Sequence, residues 1–166
     1  MNNIKILVMD VDGTLTDGKI YMGSDGEIFK AFNIKDGYGI NDILYLKGVE
    51  PVIITGRQSK IVENRCKELH IRHIYQGIHD KLSVLKQVLI RLELEKESKF
   101  SLENVAYIGD DCNDLICMQA VKEAGGIVGC PADAAKQVID IATFISNQNG
   151  GNGAVREFID WFIPNI

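Results

Sequence analysis

Asp10 and Asp12 stand two residues apart in the run Met9-Asp10-Val11-Asp12-Gly13-Thr14-Leu15-Thr16-Asp17-Gly18, directly after the apolar stretch Ile4-Lys5-Ile6-Leu7-Val8-Met9. That stretch reads as a buried strand, and residues two apart on a strand project to the same side. Both carboxylates therefore leave the strand's carboxyl end together, and Gly13 lets the chain turn away at once. Carboxylates so close repel unless one holds a proton or a cation lies between them. More acid follows another apolar run, Val105-Ala106-Tyr107-Ile108, in the form of Asp110, Asp111 and Asp114. Thr55 ends a third such run, Pro51-Val52-Ile53-Ile54, and Lys81 opens a helix further on. Clustered carboxylates call for a hard divalent cation, and a site with few oxygen ligands suits magnesium. Cation, lysine, hydroxyl and carboxylate nucleophile are together the parts of a phosphoryl-transfer site.

The elements that must hold these groups alternate along the chain. Lys19-Ile20-Tyr21-Met22 and Glu27-Ile28-Phe29-Lys30-Ala31-Phe32 flank the turn Gly23-Ser24-Asp25-Gly26, the pattern of a hairpin. It carries apolar residues on both faces, and a lone hairpin is marginal in water. Packing on something outside the main sheet is expected, and a partner subunit would serve. Helices are predicted over Gly37 to Lys47 with Gly48 as the stop, from a Ser59 cap to about Leu69, and over Lys81 to Leu92. Two more are predicted after Gly109-Asp110-Asp111 through about Ala124 and over Ala154 to Ile163, while Glu93 to Lys99 reads as a loop or frayed helix end. Short strands at Ile74-Tyr75, Ile127-Val128 and Thr143-Phe144 complete the alternation. The pattern predicts an α/β fold, a doubly wound, Rossmann-like parallel sheet whose strand ends converge on one crevice.

Length and composition bound the function. A chain of 166 residues, 46% hydrophobic and 25% charged, is the size of one domain with a sizeable core. A net charge of -5 argues against nucleic-acid and anionic-membrane partners but leaves room for a small anionic substrate in a cleft. No apolar run approaches the length of a membrane span, and the start lacks the pattern of a signal peptide. Cys66, Cys112, Cys117 and Cys130 form no C-x-x-C pair, so reduced thiols, core filling and a cytoplasmic location are expected. His70, His73 and His79 read as surface or loop residues, with His79 the one beside the site.

Four segments in order, DVDGTLTDG, IITGR, the lysine of HDK and GDDCND, resemble the motifs of the haloacid dehalogenase superfamily and span most of the chain. The resemblance implies Asp10 as nucleophile, forming an aspartyl-phosphate, and Asp12 as acid for the leaving oxygen and then base for water. Thr55 and Lys81 would hold the phosphoryl oxygens. Asp10, the Asp12 carbonyl and Asp110 would bind magnesium, with Asp111 and Asp114 around the metal's water shell. The segment between Gly18 and Gly39 is too short for a cap domain, which resembles the capless, homotetrameric subgroup with hairpins meeting at its centre. One domain over 1–166 is expected, with a hairpin flap over about 19–34. A tail over about 147–166 would use its glycines, Asn149-Gly150-Gly151-Asn152-Gly153, as a mobile lid toward a neighbour's site.

Within the subgroup, FNIKDGYGI, ITGRQSKIVENRCKEL, YQGIHDKL and GGNGAVREF are similar to phosphatases of sugar acids. The substrate implied is 3-deoxy-D-manno-octulosonate 8-phosphate, with a sialic-acid-type nonulosonate 9-phosphate as the alternative. Arg57 favours the octulosonate, because the nonulosonate enzymes carry Glu there. Gly56, Arg57, Arg65 and Arg156 are the candidate substrate contacts. A guanidinium at Arg65 can pair with a carboxylate, either the sugar acid's or that of Glu63 or Glu68. His70 replaces a usual Gly and would adopt a left-handed helix cap at some strain. Two further readings stay open: a non-catalytic tetramerisation module, which has no need of the five site residues, and a phospho-accepting receiver, against which Asp12 as hydrolytic base argues.

Overall fold

An unbroken apolar sequence puts strand β1 (Ile6–Met9) where both faces are covered, at the middle of a sheet. The structure is a computed structural model describing residues 3–165. Along the chain follow β2 (Tyr21–Gly23), β3 (Gly26–Phe29), α1 (Ile34–Tyr38), a π-helical turn (Gly39–Ile43), α2 (Leu44–Lys47), β4 (Glu50–Ile54) and α3 (Lys60–Glu68). Then come β5 (His73–Tyr75), α4 (Lys81–Lys96), β6 (Val105–Ile108), α5 (Leu115–Glu123), β7 (Ile127–Cys130), α6 (Lys136–Ile141), β8 (Phe144–Ile145) and α7 (Ala154–Phe162). Six strands form a parallel sheet in the order β5-β4-β1-β6-β7-β8, and β2 and β3 pair apart from it as an antiparallel hairpin. The winding reverses between β1 and β6, so a crevice opens at the carboxyl ends of those two strands.

Alternation along the strands divides the core into two layers. Leu7, Met9, Ile53, Ala106 and Ile108 face the π-helical turn, α3 and α7, where Ile40, Val62, Cys66, Val155 and Phe158 meet them. Ile6, Val8, Val52, Ile54, Val105 and Tyr107 face α4 and α5, against Leu85, Val88, Leu92, Cys117 and Met118. Full burial of such a side chain contributes about 1.5–3 kcal/mol, so the central strands anchor the loops at their ends. The segment between Gly18 and Ile34 carries the hairpin and nothing larger.

Several element boundaries differ from the sequence reading. The first helix begins at Ile34, not Gly37, because the Asn33 side chain caps it by accepting the Lys35 N–H at 2.8 Å. Ser59 occupies the N-cap position of α3, yet its hydroxyl donates to Glu27 on the hairpin and makes no cap hydrogen bond. Helix α4 runs on to Lys96, whose ammonium lies 2.6 Å from Glu50 Oε2. Helix α6 went unseen, being too short to show a period. His73 is buried in β5 rather than lying on the surface, and Cys112 is exposed rather than core filler. His70 does take the left-handed conformation, φ 56°, with Nδ1 2.8 Å from Asn41 Oδ1.

Candidate active site

The sheet's switch point gathers the acids. Asp10, buried at the end of β1, has its N–H bonded to the Ile108 carbonyl of β6, so the two strand ends are locked together at 3.1 Å. Lys81, at the start of α4, reaches under both: its Nζ lies 2.8 Å from Asp10 Oδ1 and 2.7 Å from Asp114 Oδ1. Asp114 also accepts the Tyr107 hydroxyl on Oδ1 at 2.7 Å, and on Oδ2 the N–H groups of Asp110 and Asp111 at 3.2 and 3.4 Å. Both of its oxygens are thus spent on protein donors, which makes Asp114 the brace of the loop after β6. Thr14 Oγ1 donates to Asp110 Oδ1 at 2.9 Å and ties that loop to the one after β1.

The electrostatics suit a cation. Oxygens of Asp10, Asp110 and Asp114 all lie within 4.8 Å of one another. Burial, and then the charge of Asp114, push the Asp10 carboxyl up to about 6 against the pull of Lys81. Burial and then Asp10 push Asp110 up to about 8, with the Thr14 hydrogen bond pulling the other way. Lys81 stays above its ordinary value: burial opposes its charge, and the two carboxylates outweigh burial. A largely buried set of hard oxygen donors, Asp110 the partly exposed one, with more negative charge than one lysine balances fits a magnesium ion.

Gly13 is obligatory in this arrangement. It has φ 92°, and a Cβ there would sit 2.0 Å from Asp110 Oδ2. Gly150 is held as tightly, because a Cβ on it would meet the Gly13 carbonyl oxygen at 1.9 Å. The glycine stretch expected as a mobile lid is therefore docked on its own chain's loop after β1. Gly151 N–H donates to the Thr14 carbonyl and Gly150 N–H to Asp133 Oδ1, and α7 then enters the core.

The remaining candidates divide. Thr55 is buried at the end of β4, and its carbonyl accepts the Ile78 N–H, which joins the loops after β4 and β5. Gly56 faces the loops after β5 and β6, within 4 Å of Ile78 and Asn113 for a Cβ placed on it. Arg57 lies over Asp12, Nε to Oδ2 3.9 Å. Asp111 is exposed and its carboxylate accepts the Cys112 N–H, so what it gives the site is its backbone N–H. Arg65 bonds Glu68 at 2.9 Å and lies over the Phe32 ring. Its Nε is buried without a partner beside Asp36, whose Oδ2 is likewise unpartnered. Arg156 pairs with Asp160 and lies over Tyr38, contacts of the α1 and α7 faces. Neither arginine is directed by these contacts to the acid cluster. Sequence reasoning missed Thr14, Tyr107, Glu27 and Lys30. The last of these donates to Asp12 Oδ1 from just after the hairpin.

This doubly wound sheet, with a buried aspartate, a lysine and a braced acidic loop at its switch point, is a haloacid dehalogenase superfamily fold. The chain is 46% identical over 158 residues to 3-deoxy-D-manno-octulosonate 8-phosphate (KDO 8-phosphate) phosphatase of Escherichia coli strain K12, across 95% of this chain and 78% of that protein. It belongs to the KDO 8-phosphate phosphatase family. The solved structure of the Moraxella catarrhalis phosphatase, in complex with magnesium, phosphate and KDO, matches with TM-score 0.88 at 38% identity, over 98% of this chain and 87% of that one. A protein of Legionella pneumophila assigned to the superfamily, subfamily III A, matches with TM-score 0.88 at 34% identity, over 98% and 84%. No family model matches the chain.

Proposed function

We propose that this protein is a magnesium-dependent phosphatase that hydrolyses KDO 8-phosphate to KDO and phosphate. The observation that carries the reading is the buried Asp10 carboxylate, held by Lys81 beside Asp110 at the switch point. Asp10 attacks phosphorus as the bond to the sugar oxygen breaks, and Asp12 gives that oxygen a proton. A phosphoryl group now sits on Asp10. Asp12 then takes a proton from a water that attacks phosphorus, and the bond to Asp10 breaks to regenerate the carboxylate. Lys81 and Thr55 hold the phosphoryl oxygens. Asp10, the Asp12 carbonyl and Asp110 would hold the magnesium ion, with Asp111 and Asp114 around it. Bound there, the ion offsets the charge gathered between carboxylates and phosphoryl group.

Sugar-acid choice falls to groups around this centre, and Gly56, Arg57, Arg65 and Arg156 are the residues we assign to it. Arg65 and Arg156 would reach a substrate only across an interface, since within their own chain they serve Glu68 and Asp160. We assign such an interface to a homotetramer, and what supports it is that the hairpin leaves Met22, Ile28 and Phe29 exposed, the pattern of a surface that a second copy covers. Four free cysteines agree with a cytoplasmic location, and no helix among the described residues is long and apolar enough to cross a membrane. Phosphate release from KDO 8-phosphate, a nonulosonate 9-phosphate and glucose 6-phosphate tests the reading. Turnover of KDO 8-phosphate at least tenfold above the others is expected, and preference for either competitor would overturn it.

A further inference from the structure

The acid-base residue does not stand alone at the end of its strand. The Lys30 side chain is 1% exposed, although it directly follows a two-stranded hairpin outside the main sheet. A buried ammonium must be paired, and Lys30 has two partners: Asp12 Oδ1, to which it donates, and Glu27 Oε1 at 2.8 Å. Glu27 is fixed in turn by the Ser59 hydroxyl on its other oxygen, and Arg57 lies 4.0 Å from Oε1. A hydrogen-bonded and charged chain thereby runs from Ser59 at the start of α3 through Glu27 on the hairpin to Lys30 just after it, and ends on the residue required to protonate the leaving oxygen. Without Lys30, the Asp12 and Glu27 carboxylates, which it holds together, would keep only the half-exposed Arg57 as a cationic neighbour of both among the described residues. Like charges so placed move apart, and Asp12 would lose its aim.

We propose that Lys30 is a positioning residue for this phosphatase, holding Asp12 toward the leaving oxygen, with Glu27 orienting Lys30. The hairpin is then part of the catalytic apparatus as well as an assembly element. This rests on the phosphatase reading. It makes a demand that a merely structural lysine would not meet, because the need for Asp12 depends on the leaving group. A sugar alkoxide cannot depart without a proton, whereas 4-nitrophenolate departs as a stable anion.

The test compares kcat/KM, which reports the phosphorylation step, on KDO 8-phosphate and on 4-nitrophenyl phosphate for wild type, Lys30→Met, Lys30→Arg and Glu27→Gln. Lys30→Met should lose about 100-fold on the sugar ester, the scale of a general-acid contribution, and less than about fivefold on the aryl ester. Lys30→Arg, which keeps the charge and the donors, should recover the sugar ester to within about tenfold of wild type, and Glu27→Gln should fall between. Retained aryl-ester activity also shows that each variant is folded. Equal loss on both esters, or full sugar-ester activity in Lys30→Met, overturns the proposal. If wild type ignores KDO 8-phosphate, the substrate reading fails by itself, and the Lys30 comparison proceeds on any alkyl phosphate that it does turn over.

Discussion

Thr14 Oγ1 donates to Asp110 Oδ1 at 2.9 Å, across 96 residues of sequence, and so joins the loop after Asp10 to the loop that carries Asp110. Partners behind a metal ligand fix its orientation, and their loss weakens metal binding by about 10- to 100-fold. Thr14→Val keeps the shape and removes the donor. Its activity should require a magnesium concentration higher by that factor, with kcat at saturation within about threefold of wild type. Magnesium titration of the activity measures both, and an unchanged half-saturation point would show that Thr14 serves packing alone.

Magnesium should stabilise the protein in a pH-dependent way. In the cation-free protein Asp10 and Asp110 are raised to about 6 and about 8. Groups raised on folding contribute stability that is fully present below their unfolded values and is lost as pH rises through the folded ones. The cation-free protein therefore gives up this stability between about pH 4 and pH 8, and a bound cation replaces it by favouring the ionised forms. The rise in Tm produced by magnesium over EDTA should be small near pH 5 and grow through pH 8. A rise independent of pH would contradict the assignment of these carboxyls as the metal site.

The docked glycine stretch makes a further demand. Ala at Gly150 would put a methyl group 1.9 Å from the Gly13 carbonyl, backbone against backbone, with no side chain free to yield. Gly150→Ala should cost about 3 kcal/mol in urea unfolding, the upper range for overpacking. Because the displaced loop carries Asp12, activity at full folding should also fall by more than about tenfold. A variant as stable and active as wild type would restore the mobile-lid reading.

Assembly can be tested on the hairpin's exposed face. Met22 and Ile28 are 60% and 61% exposed on the hairpin. Met22→Asp with Ile28→Asp should convert a tetramer to smaller species in sedimentation velocity. A wild type that sediments as a monomer removes the tetramer from the account.

What could be read from the sequence, and what could not, follows from the range of the signals. Val8 or Ile53 announces a central strand because a strand covered on both faces must be apolar at successive positions, and Asp10, Thr55 and Asp110 were found because each lies at or just past the end of such a run. Lys81 came with its motif. Thr14, Tyr107 and Lys30 went unassigned because their partners are set by how loops and the hairpin fold back, which no local period encodes. Ser59 shows the same limit: a residue at a cap position was assigned the cap, while its hydroxyl had a better acceptor in Glu27. Arg65 was placed by face and charge and Arg156 with its glycine-rich segment, and neither a helix face nor a segment says which neighbour covers it. Glu68 and Asp160, three and four residues along the same helices, take both guanidinium groups within the chain.

The central claim is that Asp10 carries the phosphoryl group of a sugar-acid phosphate. Acid quench during turnover of KDO 8-phosphate with magnesium, followed by peptide mapping, tests it most directly. The account predicts one phosphoryl group on the peptide bearing Asp10, and neither that adduct nor phosphate release in Asp10→Asn. Release at the wild-type rate by Asp10→Asn, or the phosphoryl group on another residue, would contradict it.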